Sequence, residues 1–463
     1  MPSITEDKNR AEWWPWAICV VLLLATLLNY MDRQALAVTL PTLKQKFHLA
    51  EGRVGLIEGC FGYAFAFGSL FFGWLADRMG PRLLYPAVLA GWSLAGMATS
   101  LAGNDQLTGL LEHTGDEPGT GVFRWLLLCR IVLGVCEAGH WPCALLTVRA
   151  ILTSQHRTLG NGILQSGASI GAVLVPLYIE AAERAGKSWE FPFWSIGLAG
   201  LCWIPLWFAL IRGRDLSRPR DGAVGSTIRS GTLDTSHSDQ ASTFSNSSDA
   251  SATEGIGSRV QASSEDGLLR RLLVLAIVVS TLTISWQFLR AWLALFLQDH
   301  HGYSRQATRG LMSGYFIASD VGCILSGLVV SWLSRRHWSV HHSRLAGFLL
   351  FCLLTAAGAL VPYAGNGWLM VALLFVAGAG ILGLHPFYYS LIQELSSRHM
   401  GTFSGALAAV GWVITGSFQG HLGAYIQENK SYDLGLLIVG LAPVLGLAAL
   451  VLLWPGKAGR KGG

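Results

Sequence analysis

Along this chain, apolar runs of about twenty residues alternate with short polar breaks. A bilayer core about 30 Å thick is crossed by ~20 apolar residues in helical form, because a helix rises about 1.5 Å per residue. Runs of that length lie near 14–38, 54–76, 83–103, 121–148, 158–180, 191–211, 268–298, 308–333, 344–363, 367–392, 401–426 and 434–454. Inside lipid a backbone must satisfy its own hydrogen bonds, and a helix does so within one segment. The pattern therefore predicts an all-α membrane protein with twelve transmembrane helices.

One stretch breaks the rhythm. Residues 213–267 are rich in Ser, Thr, Gly and Asp, and between Ser217 and Asp266 the only aromatic is Phe244. Such a segment cannot bury enough apolar area to offset its ordering entropy, so a disordered cytoplasmic linker is expected. It separates a bundle over 1–212 from a second over 268–463. The two halves echo each other. Trp74-Leu75-Ala76-Asp77-Arg78 follows the second run as Trp332-Leu333-Ser334-Arg335-Arg336 follows the eighth, and His140-Trp141-Pro142 in the fourth is matched by His385-Pro386 in the tenth. Two six-helix, pseudo-symmetric bundles with a site between them is how many membrane carriers are built.

Composition agrees. Of 463 residues 52% are hydrophobic and 13% charged, with 18 Trp and 55 Gly. Gly lets helices approach closely and Trp settles at the headgroup level. The net charge of +5 forms no basic stripe, so no nucleic-acid partner is expected. Lys and Arg favour the segments on the side of the two termini, which predicts both termini in the cytoplasm of a multi-pass plasma-membrane (bacterial inner-membrane) protein. The eight cysteines (Cys19, Cys60, Cys129, Cys136, Cys143, Cys202, Cys323 and Cys352) all fall in apolar runs and read as small hydrophobes. No signal peptide, Walker sequence, cofactor motif, metal-ligand cluster or catalytic constellation is evident, so no enzyme activity and no ATP drive are expected.

A charge at bilayer depth is expensive and therefore a functional candidate. Seven stand out: Asp32, Arg33, Glu58, Arg130, Glu137, Arg290 and Asp320. Arginine stays cationic, whereas each carboxylate can be neutralised by a proton, a combination suited to exchanging protons against a bound anion. Arg130 and Glu137 are two helical turns apart and share a face, which predicts an ion pair in a central cavity; the plainer alternative is a static pair holding helices in register. Asp32 and Arg33 project about 100° apart. Arg33 is expected to face the cavity and bind a substrate carboxylate, with Asp32 titrating at its edge. Arg290, among Trp286, Gln287, Phe288 and Trp292, is a candidate second anion ligand. Asp320 is open between pairing and titration. His385, with Tyr388 and Tyr389 after Pro386, sits where a broken helix exposes backbone, and His140 is open in the same way. Glu58 is either a proton carrier or a gate at the outer end.

The segment Gly73-Trp74-Leu75-Ala76-Asp77-Arg78-Met79-Gly80-Pro81-Arg82 resembles the loop signature of the major facilitator superfamily. More narrowly, Asn29-Tyr30-Met31-Asp32-Arg33-Gln34, the run from Arg130 through Gly134 and Glu137 to Pro142, and Gly162-Ile163-Leu164-Gln165-Ser166-Gly167-Ala168-Ser169-Ile170-Gly171 are similar to the anion:cation symporter family of bacterial hexuronate- and galactonate-type transporters. The resemblance implies a major facilitator fold and proton-coupled uptake of an organic anion, a sugar acid, by alternating access. It implies substrate binding by Arg33 and Tyr63; the chain's other candidate substrate ligands are Arg130, Gln165, Trp286, Arg290, His385, Tyr389 and Trp412. It implies proton coupling by Asp32 and Glu137, for which Glu58 is a further candidate, while the charges of Asp77 and Arg78 at the end of their helix read as a cytoplasmic gate. The expected partners are a small organic anion, protons and the lipid bilayer, for a monomer. Two departures concern the second half. Arg290-Ala291-Trp292-Leu293-Ala294 stands where relatives have Trp-Leu-Pro, and Ala408 and Trp412 stand where they have Asn, which implies a different or less hydroxylated anion. An anion or phosphate-ester antiporter, a transporter-like sensor and a membrane enzyme are the competing readings.

Overall fold

The computed structural model describes residues 12–49, 51–117, 119–216, 250–396 and 398–454. Its main helices are α1 (Trp14–Phe47), α2 (Glu51–Met79), α3 (Pro81–Thr99), α4 (Thr120–Glu137), α5 (His140–Ile151), α6 (Arg157–Arg184), α7 (Phe191–Leu210), α8 (Ala250–Leu295), α9 (Arg305–Arg335), α10 (Val340–Ala356), α11 (Trp368–Ile392), α12 (Met400–Asn429) and α13 (Asp433–Leu453). Eleven helices among the described residues are long and apolar enough to cross a membrane. The remaining crossing is the fourth, expected as one helix over 121–148. It is broken at Ala138–Gly139 into α4 and α5. Pro142 has no N–H to offer the Ala138 carbonyl four residues back, and its ring crowds that carbonyl, which weakens the helix at this turn.

Local chemistry sets the other ends. The chain turns from α2 into α3 at Gly80, whose φ of 73° suits glycine, and Pro81 follows at the first helical position. Ser304 and Ser339 cap α9 and α10 by accepting from the N–H groups of Ala307 and His342. The expected linker falls largely on residues 217–249, outside the described residues. Its last part differs from expectation, since α8 starts at Ala250, ahead of its apolar run. Once a helix is nucleated, each added residue costs little, so polar residues can extend it.

Apolar side chains such as Leu70, Phe71, Leu353 and Leu445 coat the outside. Trp92, Trp207 and Tyr85 fill the centre of the first bundle, and Phe288 and Tyr315 the second. Water does not drive helices together in lipid, so close approach of backbones does the work. The halves meet along α2 with α12 and along α6 with α9. A Cβ on Gly73 would lie 2.6 Å from the Gly401 carbonyl, and one on Gly162 would lie 2.5 Å from the Cys323 carbonyl. The repeated motif repeats in space as well. Arg78 lies over Trp74 with its guanidinium carbon 4.2 Å from the ring centre, and Arg336 lies over Trp332 at 4.2 Å.

Candidate functional site

Between the bundles lies a cavity of about 100 Å³. α1, α2, α5 and α6 line it from the first half, and α8, α11 and α12 from the second. Its charge is Arg33, 7% exposed. Arg33 donates from Nε (3.0 Å) and Nη2 (2.7 Å) to one oxygen of Glu137, Oε2, and more weakly from Nη2 to Asn29 Oδ1 at 3.4 Å. Aromatic rings enclose the guanidinium: its central carbon lies 4.8 Å from the Phe61 centroid, 5.0 Å from Tyr30, 5.2 Å from Phe65 and 5.7 Å from Trp412. Glu137 is fully buried, and its other oxygen, Oε1, has no hydrogen-bond partner among the described residues.

This arrangement corrects the expected Arg130–Glu137 pair. Heptad spacing puts both residues on one face of α4, but the Arg33 side chain reaches the carboxylate from α1 instead. Arg130 sits behind the site, 4.6 Å from the Phe61 centroid, and donates to the Arg33 carbonyl at 3.3 Å. Asp32 also departs from expectation. It turns away from the cavity edge towards α3, where a Cβ on Gly96 would meet its Oδ1 at 2.7 Å.

Across the cavity the two halves are joined by Tyr389, which donates to Gln165 Oε1 at 2.9 Å and stacks on Trp141 with centroids 5.0 Å apart. Several hydroxyl protons on the lining are already spent. Thr283 donates to the Val279 carbonyl at 2.7 Å and Ser404 to the Gly401 carbonyl at 3.1 Å. His385 Nδ1 lies 3.1 Å from the Ile381 carbonyl, which only accepts, so Nδ1 carries a proton and, in the neutral ring, Nε2 is left as an acceptor. Pro386 frees the Leu382 carbonyl, and the Cys323 thiol from α9 donates to it at 3.2 Å.

Of the expected substrate ligands, the structure brings Arg33, Gln165, Trp286, His385, Tyr389 and Trp412 to the cavity. Tyr63 is outside it: two positions beyond Phe61, it is 77% exposed on another face of α2. Arg130 and Arg290 stand behind the lining, and Arg290 Nε donates to Gln287 Oε1 at 2.6 Å. The side chain of Glu58 lies outside the described residues. His140 is a core residue, its ring nitrogens 3.1 Å from Thr26 Oγ1 and 2.8 Å from Tyr85 Oη. The sequence reading missed Tyr30, Phe65, Trp141 and Gln287 on the lining. Trp141 carries a usable signal, since it falls one turn beyond Glu137 and beside Pro142.

One end of the cavity is shut. Asp77 accepts from the Gly401 N–H, the Thr402 N–H and Thr402 Oγ1, each at 2.7 Å, and so caps α12. Asn161 donates to Ser390 Oγ (3.2 Å) and Gln393 Oε1 (3.1 Å), and Gln393 donates to the Leu145 carbonyl at 3.0 Å. Arg344 pairs with Glu394 and also donates to the Ser154 carbonyl at 2.7 Å. Arg78, expected beside Asp77 as a bridge, instead covers Trp74 on its own helix.

A cavity shared by two pseudo-symmetric helical bundles, with an ion pair buried at its wall and one end closed by contacts between the halves, is the construction of a membrane carrier. A model of the Major Facilitator Superfamily matches residues 22–420, and this chain belongs to that superfamily. It is a multi-pass membrane transporter and not an enzyme. It is similar to the D-galactonate transporter of Escherichia coli O6:H1, 23% identical over 442 residues that cover 94% of each chain. The probable galactarate/D-glucarate transporter GudP of Escherichia coli (strain K12) is 23% identical over 437 residues, 91% of each. Among solved structures, the proton:xylose symporter XylE shares the fold with a TM-score of 0.71 at 13% identity, covering 96% of both chains.

Proposed function

We propose that this protein is a secondary active transporter that takes up a sugar acid (a hexuronate, aldonate or aldarate) together with protons, by alternating access. The observation that carries the reading is the Arg33–Glu137 pair on the wall of a cavity lined by both halves. A carboxylate entering this site competes with Glu137 for Arg33. A proton on Glu137 removes the competitor and leaves the guanidinium to the substrate, so anion and proton enter together. Losing the proton on the other side restores the pair and expels the anion. Asp32 and Glu58 are the further proton carriers in this scheme, and Asp77 is the gate that opens when the bundles rock.

The lining supports a hydroxylated acid. Thr283, Ser404 and His385 offer acceptors whose own protons are committed, and hydroxyl groups on a ligand supply the missing donors. The relatives named for galactonate and for galactarate/glucarate point the same way. An anion or phosphate-ester antiporter of the same fold is the second reading, since Arg33 could hold a phosphate as well as a carboxylate. The test is uptake of radiolabelled D-galactonate, D-glucuronate and D-glucarate into proteoliposomes, with and without an inward proton gradient. Gradient-dependent accumulation of any of them supports symport. Uptake only against preloaded phosphate ester supports the antiporter.

A further inference from the structure

We propose that Gln287 is a specificity-determining substrate ligand and that Arg290 is its positioning residue. This inference rests on the sugar-acid reading for the choice of probe and concerns the same cavity. Gln287 lines the cavity from α8, next to Trp286, while Arg290 stands one turn further along the same helix and does not line it. Arg290 Nε donates to Gln287 Oε1 at 2.6 Å. An arginine has donors only, so the amide cannot flip: its NH₂ end would meet an N–H. The carbonyl end of Gln287 is therefore held by Arg290, and the cavity receives the NH₂ end.

Gln165 has its carbonyl oxygen engaged from the opposite half. Its Oε1 accepts from Tyr389, which directs its NH₂ away from that bond. Two amides, one per bundle, thus have their carbonyl oxygens occupied and their donors available. They select a ligand with uncharged oxygen acceptors, hydroxyl or keto, in addition to the carboxylate that Arg33 receives. The charge of Arg290 acts through the amide it polarises.

The test is a double-mutant cycle read by uptake of radiolabelled D-galactonate into proteoliposomes, with surface amount and thermal stability of each purified variant measured alongside. Gln287→Ala should raise KM about ten-fold and change kcat little, the loss of one hydrogen bond to substrate. Arg290→Met should raise KM by a similar or smaller factor, because the amide is then free to turn. The double variant should be no worse than Gln287→Ala alone, since Arg290 reaches the substrate through Gln287. Gln287→Glu should be worse than Gln287→Ala, because it aims a carboxylate at an anion. An additive double variant, losing the product of the two single effects, overturns the proposal and makes Arg290 a direct anion ligand. So does an unchanged KM in a well-folded Gln287→Ala protein. If wild-type vesicles carry none of galactonate, glucuronate and glucarate, the sugar-acid reading fails by itself, and the same cycle is read with radiolabelled sn-glycerol 3-phosphate.

Discussion

Arg33 places two donors, Nε and Nη2, on a single oxygen of Glu137, 3.0 and 2.7 Å away, and leaves the second oxygen without a partner among the described residues. The guanidinium fork is thus spent on one lone-pair region, and a ring of aromatic side chains fixes its plane. An ammonium has neither the fork nor the flat faces that stack on Phe61 and Phe65. Arg33→Lys should therefore weaken substrate binding by about 1.5–3 kcal/mol, the range for a hydrogen bond to a charged group. Equilibrium binding of D-galactonate to the purified variant measures this, and binding equal to wild type would remove Arg33 from the substrate site.

Glu137→Gln mimics a carboxyl group that never loses its proton. Substrate should still bind and should exchange in counterflow, which needs no net proton movement, while accumulation driven by a proton gradient should disappear. Gradient-driven uptake and counterflow measured side by side give the answer. A Glu137→Gln protein that concentrates substrate like wild type would leave the pair a structural element.

Asp77 holds the first turn of α12 through three bonds of 2.7 Å. Asp77→Asn keeps an acceptor but loses the charge, so each bond weakens and the shut end opens more readily. Turnover should fall several-fold while the affinity of the cavity changes less. Rates and binding constants on the same preparation separate the two effects. An unchanged turnover would exclude Asp77 from the gate.

Gly73 faces Gly401 so closely that a Cβ would stand 2.6 Å from its carbonyl oxygen. Gly73→Val should prevent the halves from meeting at this end and hold the carrier open there. The protein should reach the membrane and fold, yet transport nothing. Labelling of a cysteine placed at Thr402, half-buried and slow to react in the parent and faster in the variant, would report the open end. Normal transport by Gly73→Val would show that this contact is not needed for closure.

The crossings were legible in the sequence because hydrophobic length is a one-dimensional property. So was the echo of Trp74–Arg78 in Trp332–Arg336, which recurs as the same stack in space. Ion-pair partners were not legible. Helical spacing correctly put Arg130 and Glu137 on one face, but the partner of Glu137 came from α1, and only packing decides which helix crosses that face. Tyr63 shows the same limit from the other side: its helix borders the cavity through Phe65, while a rotation of two positions from Phe61 turns Tyr63 outward. Trp141 and Gln287 were missed because aromatic and amide side chains are unremarkable in a membrane sequence until a cavity forms beside them. The break at Ala138–Gly139 falls one turn before Pro142, whose missing N–H weakens that turn, but Pro176 and Pro386 lie inside unbroken helices, so a proline in the sequence does not by itself mark a break.

The two Trp–Arg stacks carry a consequence for the surrounding lipid. Trp74 and Trp332 are 42% and 54% exposed, each covered on one face by an arginine at the end of its helix. An indole paired with a cation settles at the headgroup level, where the ring meets acyl chain and the charge meets phosphate. Each bundle therefore carries the same Trp–Arg stack at the end of an equivalent helix, suited to the headgroup level. In the alternating-access scheme proposed above, rocking of one bundle against the other would then pivot near that plane, and bilayer thickness and anionic lipid content would act on both halves alike.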